Sequence, residues 1–259
     1  YPESRDAWKL LYTMARLAAN SAEAAALATA PLPASLQSDP DVRLQQVRAQ
    51  IDLGLMFDDM ALLEAAVRSA ETLPEGGDAT AVVWVRATLD TMRGRSGDLE
   101  ALKRGFDGFA KLIEKTSGVE RALALNNAGY LQGFAGEKEA AQTFQAADSL
   151  DDGARVAGLN LGALAFQAEQ RDGLAALFEG ATTSKIAGVR LLAHGWLVAL
   201  ADAGHGDVKV RRQEFAAALK SASEGEFRGG APTARLGVVA SGDFKLSFGY
   251  TTNGGLVLV

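Results

Sequence analysis

Residues 122–147, ALALNNAGYLQGFAGEKEAAQTFQAA, and residues 156–181, VAGLNLGALAFQAEQRDGLAALFEGA, decide the fold. Asn126, Phe144 and Ala147 of the first stretch recur as Asn160, Phe178 and Ala181 of the second, each 34 positions later. A fixed period of about 20–50 residues marks stacked small units, each burying its apolar face against the next, and 34 suits a helix–turn–helix unit. In the first unit Leu123, Leu125, Leu131 and Phe134 precede Phe144, Ala147 and Leu150. Apolar spacing of three to four residues is that of a helix.

Working outward, the same punctuation predicts about twelve helices in about six antiparallel pairs. The expected pairs are 3–19 with 21–30, 41–57 with 59–73, 78–93 with 98–115, 118–134 with 137–149, 152–170 with 172–181, and 184–203 with 207–223. Pro31, Pro33 and Pro40 mark a linker at 31–40, because proline cannot continue a helix and restricts the residue before it. Glycine at the joints supplies left-handed C-caps, and Asp or Ser accepts hydrogen bonds from the free N–H groups of the next helix. Asp39 or Asp41 caps the helix that begins near 41.

After Gly225 the pattern changes. Residues 225–235 read as a linker containing Gly and Pro, and 236–259 as a short β segment with strands at 236–240, 244–251 and 256–259. Phe244, Leu246, Phe248 and Tyr250 alternate with Lys245, Ser247 and Gly249, the period of a half-buried strand. Asn253-Gly254 is a strong hairpin signal. So small a hairpin is marginal alone, and its apolar last strand is an edge that recruits partner strands.

Composition narrows the function classes. The 259 residues carry a net charge of −6, which argues against a nucleic-acid-binding surface. Hydrophobic residues make up 48% and aromatics 7%, with abundant Ala, the best helix former and a small side chain that lets helices approach. Cysteine is absent, which removes disulfides, thiolate metal sites and Cys nucleophiles. No apolar run of about 18 residues is present, so no membrane span is expected. The chain begins at Tyr1 rather than Met, which suggests a processed or trimmed chain or a piece of a longer one. Periplasmic or extracellular placement is therefore favoured over cytoplasmic.

The repeat resembles the tetratricopeptide repeat, whose 34-residue helix pairs carry Asn-Leu-Gly in the first helix and small, aromatic and Ala positions in the second. Asn160-Leu161-Gly162 followed by Leu174, Phe178 and Ala181 carries the resemblance, with Asn126-Asn127-Ala128 followed by Ala140, Phe144 and Ala147 before it. Asp52-Leu53-Gly54 with Phe57 looks like the same segment. The resemblance is good over 118–182 and degenerate elsewhere, and the family's turn proline is missing after both best repeats. It implies an all-α fold, a right-handed α-solenoid of about six repeats over 1–224, whose concave face is lined by first helices and binds peptide segments. It implies no catalysis and no cofactor. The family's groove positions fall on Arg48, Asp58, Trp84, Thr91, Gln132, Phe166 and Arg190. This mixed polar and aromatic set lacks clustered Lys and Asn. It lends no support to the carboxylate-gripping mode of some family members.

Other constellations have plain structural explanations. Gly204-His205-Gly206-Asp207 reads as a helix–helix turn, and His194 as a core residue on an apolar helix. Asp58-Asp59 and Asp151-Asp152 sit where carboxylates cap helix N-termini. Neither a phosphate loop nor Gly-x-Ser-x-Gly is present, and no metal or catalytic set is expected. Trp8, Trp84 and Trp196 fall at helical apolar positions; Trp84 is the best candidate for a groove aromatic. The expected function is a non-enzymatic scaffold for a protein or peptide partner. The rival expectation is a structural subunit of a filament or cell-envelope assembly, self-associating through 236–259.

Overall fold

The computed structural model describes residues 3–17, 21–57, 59–72, 79–150, 155–184 and 187–224. The expected linker at 225–235 and the expected strands in 236–259 lie outside the described residues. Among the described residues the chain is all-α, with twelve α-helices. They are α1 Arg5–Leu17, α2 Ser21–Ala28, α3 Pro40–Phe57, α4 Met60–Glu71, α5 Ala79–Arg95, α6 Leu99–Lys115, α7 Gly118–Phe134, α8 Ala140–Leu150, α9 Val156–Gln167, α10 Leu174–Ala181, α11 Ala187–Asp202 and α12 Val208–Glu224. The proline linker also holds a short 3-10 turn, Ala34–Leu36, that periodicity alone does not signal.

Caps fix where helices start. Asp39 accepts from the N–H groups of Asp41 and Val42, both at 3.1 Å. Asp59 accepts from Ala61 at 2.9 Å and Leu62 at 3.2 Å, Asp98 from Ala101 at 2.9 Å, and Asp207 from Lys209 at 2.9 Å and Val210 at 3.1 Å. Each satisfies donors that a helix start leaves free.

Ends are fixed by one recurring turn. An N–H reaches back five residues to a helix carbonyl, from Asp98 to Arg93 (3.2 Å), Glu137 to Gln132 (2.8 Å), Gln170 to Ala165 (2.9 Å) and His205 to Leu200 (3.1 Å). This is the Schellman bond, and it needs a left-handed residue just before the donor. Gly97, Gly136 and Gly204 fill that place with φ of 108°, 75° and 91°, whereas Glu169 adopts φ of 58° with a full side chain.

The chain divides into two compact units, Tyr1–Leu112 and Ile113–Val259. In the first, α1 packs on α2 and α3, α2 on α3, α3 on α4 and α4 on α5. One cluster joins Tyr12, Ala28, Leu32, Leu36, Val42, Ala49, Leu53 and Leu62; a second joins Val47, Ala66, Ala70 and Val85. In the second unit every helix from α7 to α12 packs on its neighbour in sequence, and α9 also touches both α7 and α11. One cluster there gathers Val156, Leu159, Leu174, Phe178, Val189, Leu192, Leu197 and Leu200 around α9, α10 and α11.

The 34-residue period has a physical counterpart in the second unit. Asn160 Nδ2 donates to Asn126 Oδ1 at 2.9 Å, and Asn126 Nδ2 donates to Asn127 Oδ1 at 3.2 Å, all three side chains being buried. Phe144 and Phe178, both fully buried, seat their rings on Gly129 and Gly162 of the preceding helices.

Candidate functional site

The seven positions expected to line a groove have different fates. In the first unit Arg48 lies on α3, and Asp58 lies outside the described residues. Trp84, on α5, is half-buried, with its ring edge-on to Phe109 at 5.7 Å between centroids. Thr91, further along α5, is 0% exposed; its hydroxyl donates to Ala87 O at 2.7 Å. A Cβ on Gly105 of α6 would come within 3.0 Å of Thr91 Oγ1. The groove assignment of Thr91 is therefore corrected: it is a packing residue beneath α6. The outer hairpins differ in length from the 34-residue unit, so a register carried outward by the period slips.

In the second unit Gln132, Phe166 and Arg190 are all partly buried. Gln132 Oε1 accepts from Thr143 Oγ1 at 2.6 Å, a bond across the α7–α8 hairpin. Arg190 Nη1 donates to Ser184 O at 2.6 Å, holding the segment before α11. Phe166, near the end of α9, has the richest setting. Its ring lies 5.2 Å from that of Trp196 at 57°, and Trp196 stacks on Phe178 at 5.6 Å with the planes 4° apart. The Arg171 guanidinium carbon sits 4.1 Å from the Phe166 ring centroid, and its Nη1 donates to Phe166 O.

This is an aromatic patch with a core side and an open side. Phe178 is fully buried, while Trp196 and Phe166 are partly exposed and Arg171 lies over Phe166. A rigid aromatic pair rimmed by a guanidinium suits apolar and aromatic partner side chains, and Arg and Trp are over-represented among the residues that dominate interface energies. Sequence reasoning expected Phe166 in the groove and Trp196 in the core, and gave Arg171 no role. The signal for Arg171 was its place five residues on, just past the turn.

Burial holds the His194 imidazole below its ordinary pKa of 6.5; Glu214 pulls it up and Arg211 pushes it down. His194 Nδ1 is buried without a hydrogen-bond partner among the described residues. Arg211 is engaged by Glu179 and by Glu214, the latter at 3.0 Å, so these charges tie α12 to α10. His205 sits between Gly204 and Gly206, in the turn capped by Asp207. Among the described residues no group of three His, Asp or Glu is placed to hold a metal ion, and no helix is long and apolar enough to cross a membrane.

Comparison with family models, curated proteins and solved structures gives no match for the chain.

Proposed function

We propose that this chain is a non-enzymatic scaffold that holds a protein or peptide partner on a face built from the first helices of stacked, tetratricopeptide-like hairpins. The observation that carries the proposal is the Asn126–Asn160 hydrogen bond, which joins equivalent residues of α7 and α9 at the repeat distance of 34. A bond between equivalent residues supports one hairpin being laid on the next in register, the geometry of an α-solenoid. The contacts of α9 with both α7 and α11 support the same arrangement for first helices. Phe166, Trp196 and Arg171 then supply an anchor on that face, and the adaptable polar groups of Gln132 and Arg190 flank it in sequence.

The test is selection of peptides from a random display library on the full chain, followed by affinity measurement of the enriched sequences. A recurrent motif with an aromatic or large aliphatic residue is expected, bound about tenfold or more weaker by Phe166→Ala, the scale of one interface anchor. Far-ultraviolet circular dichroism shows that the variant is folded. A library that yields no motif, or a motif bound equally by Phe166→Ala, refutes the assignment.

A further inference from the structure

The first unit contains a cavity of about 460 Å³ between the end of α2, the proline linker, α3 and α4. Arg43, Gln46 and Gln50 of α3 face it at helical spacing, as do Arg68 and Thr72 of α4, with Gln37 from the linker. A volume in the range of about 300–1,000 Å³ suits a small molecule. None of the expected groove positions whose side chains are described lines this cavity, so a ligand here is argued separately from the peptide-binding proposal.

The charge in this cavity is one-sided. Among the described residues no acidic side chain lines it, while two guanidiniums do. The neighbouring carboxylates among the described residues are turned elsewhere: Glu64 pairs with Arg93 at 2.8 Å and Glu71 with Arg86, both toward α5, and Asp39 and Asp41 pair with Arg5. Arg68, exposed, has no side-chain partner among the described residues. Arg43 donates through Nη2 to Ser69 O at 2.9 Å and to the Thr72 hydroxyl, which fixes its plane, and its Nε is buried without a partner among the described residues.

Two helix C-termini also end here, and each adds about half a negative charge. Two full cationic charges outweigh them. The carbonyls are covered besides: Gln50 Nε2 donates to Ala28 O at 3.0 Å, and Gln46 Nε2 to Ala30 O at 3.3 Å. A carbonyl can only accept, so both amide nitrogens must face these oxygens and both Oε1 atoms are left as acceptors. Gln50 is 2% exposed, and its Oε1 has no hydrogen-bond partner among the described residues.

The structure assigns this cavity as a binding site for a small oxyanion that also carries a hydrogen-bond donor, such as a hydroxylated carboxylate. Arg43 and Arg68 hold the oxyanion, for which a planar guanidinium fork is suited. Gln46 and Gln50 accept from the hydroxyl.

Isothermal titration of the full chain in about 100 mM sodium chloride tests it, with citrate, its deoxy analogue tricarballylate, and inorganic phosphate as probes. Saturable binding of citrate with Kd below about 1 mM is expected, weakened about tenfold or more by Arg68→Gln. That variant removes an exposed side chain with no partner among the described residues, so it leaves the fold intact. Tricarballylate weaker than citrate supports the glutamine acceptors; equal affinity overturns that half of the assignment. Phosphate binding that is lost in Arg68→Gln, with no citrate binding, supports the oxyanion site and identifies a phosphate source instead. No saturable binding of any probe up to about 10 mM, or binding unchanged in Arg68→Gln, overturns the assignment.

Discussion

Gly162→Ala should destabilise the second unit, although the same change in an ordinary helix interior does the opposite. Gly162 lies inside α9, where replacing Gly by Ala normally contributes about 1 kcal/mol of helix stability. Here the new methyl would lie 2.6, 3.0 and 3.1 Å from three ring carbons of Phe178. Ordinary carbon contacts begin near 3.5 Å. Phe178 is fully buried and its ring is stacked on Trp196, so neither rotation nor tilt relieves the overlap cheaply. Overpacking of this kind costs about 1–3 kcal/mol. An approach of 2.6 Å against a trapped ring belongs at the upper end, and the net expectation is a loss of about 1–2 kcal/mol.

Gly180→Ala is the matched control. It sits in α10, exposed, and its new methyl would have nothing within 4 Å, so propensity acts unopposed and stability should rise by about 0.5 kcal/mol. Urea unfolding in a Trp8→Phe/Trp84→Phe background measures both, because Trp196 is then the one tryptophan of the chain. The clash also predicts coupling: Gly162→Ala with Phe178→Leu should be less unstable than the two single losses summed. If Gly162→Ala proves as stable as the parent, or both alanines shift stability the same way, the seat of Phe178 on α9 is wrong.

Glu169→Gly should stabilise by about 0.5–1 kcal/mol, since a left-handed side chain costs about 1–2 kcal/mol and glycine returns part of that through its freer unfolded chain; thermal unfolding that shows no gain would mean the φ of 58° carries no strain. Acid should weaken the fold through His194. Burial depresses its folded pKa, so as pH falls through the ordinary value of 6.5 the unfolded chain binds a proton that the folded chain refuses, and stability drops. His194→Gln should therefore lose less stability than the parent between about pH 7.5 and 5.5, and equal losses would show that His194 titrates normally in the folded state.

Much of the architecture was legible because its determinants are local. Asp59, Asp98 and Asp207 begin helices by capping them, and glycines end them in left-handed turns, so boundaries could be placed within a few residues. Glu169 shows the limit: a left-handed turn without glycine leaves no mark, and the helix before it was expected to run to 170. The site was less legible. Phe166 was expected on register, but its neighbours Trp196 and Arg171 come from another helix and from beyond a turn, and register says nothing of either. Thr91 failed because a register assumes hairpins of equal length. The stripe Arg43, Gln46 and Gln50 looks in sequence like a solvated helix face; Gln46 and Gln50 are buried because the end of α2 and the proline linker fold over them.

A physical device recurs even where the sequence pattern fades. In four hairpins a glycine of the first helix makes a notch that receives a side chain of the second. A methyl on Gly54 of α3 would meet Leu63 at 2.7 Å, on Gly94 of α5 Leu102 at 2.7 Å, on Gly129 of α7 Phe144 at 2.9 Å, and on Gly162 of α9 Phe178 at 2.6 Å. The notch is constant and its occupant is not: leucine in the first unit, phenylalanine in the second. A pattern that demands an aromatic therefore recognises the hairpins of 118–182 and loses the others, although all four solve the same problem of close helix approach. Asp52-Leu53-Gly54 stood out in the sequence because its glycine is one of these notches. Substituting notch and occupant together, rather than either alone, is accordingly the change each hairpin should tolerate best.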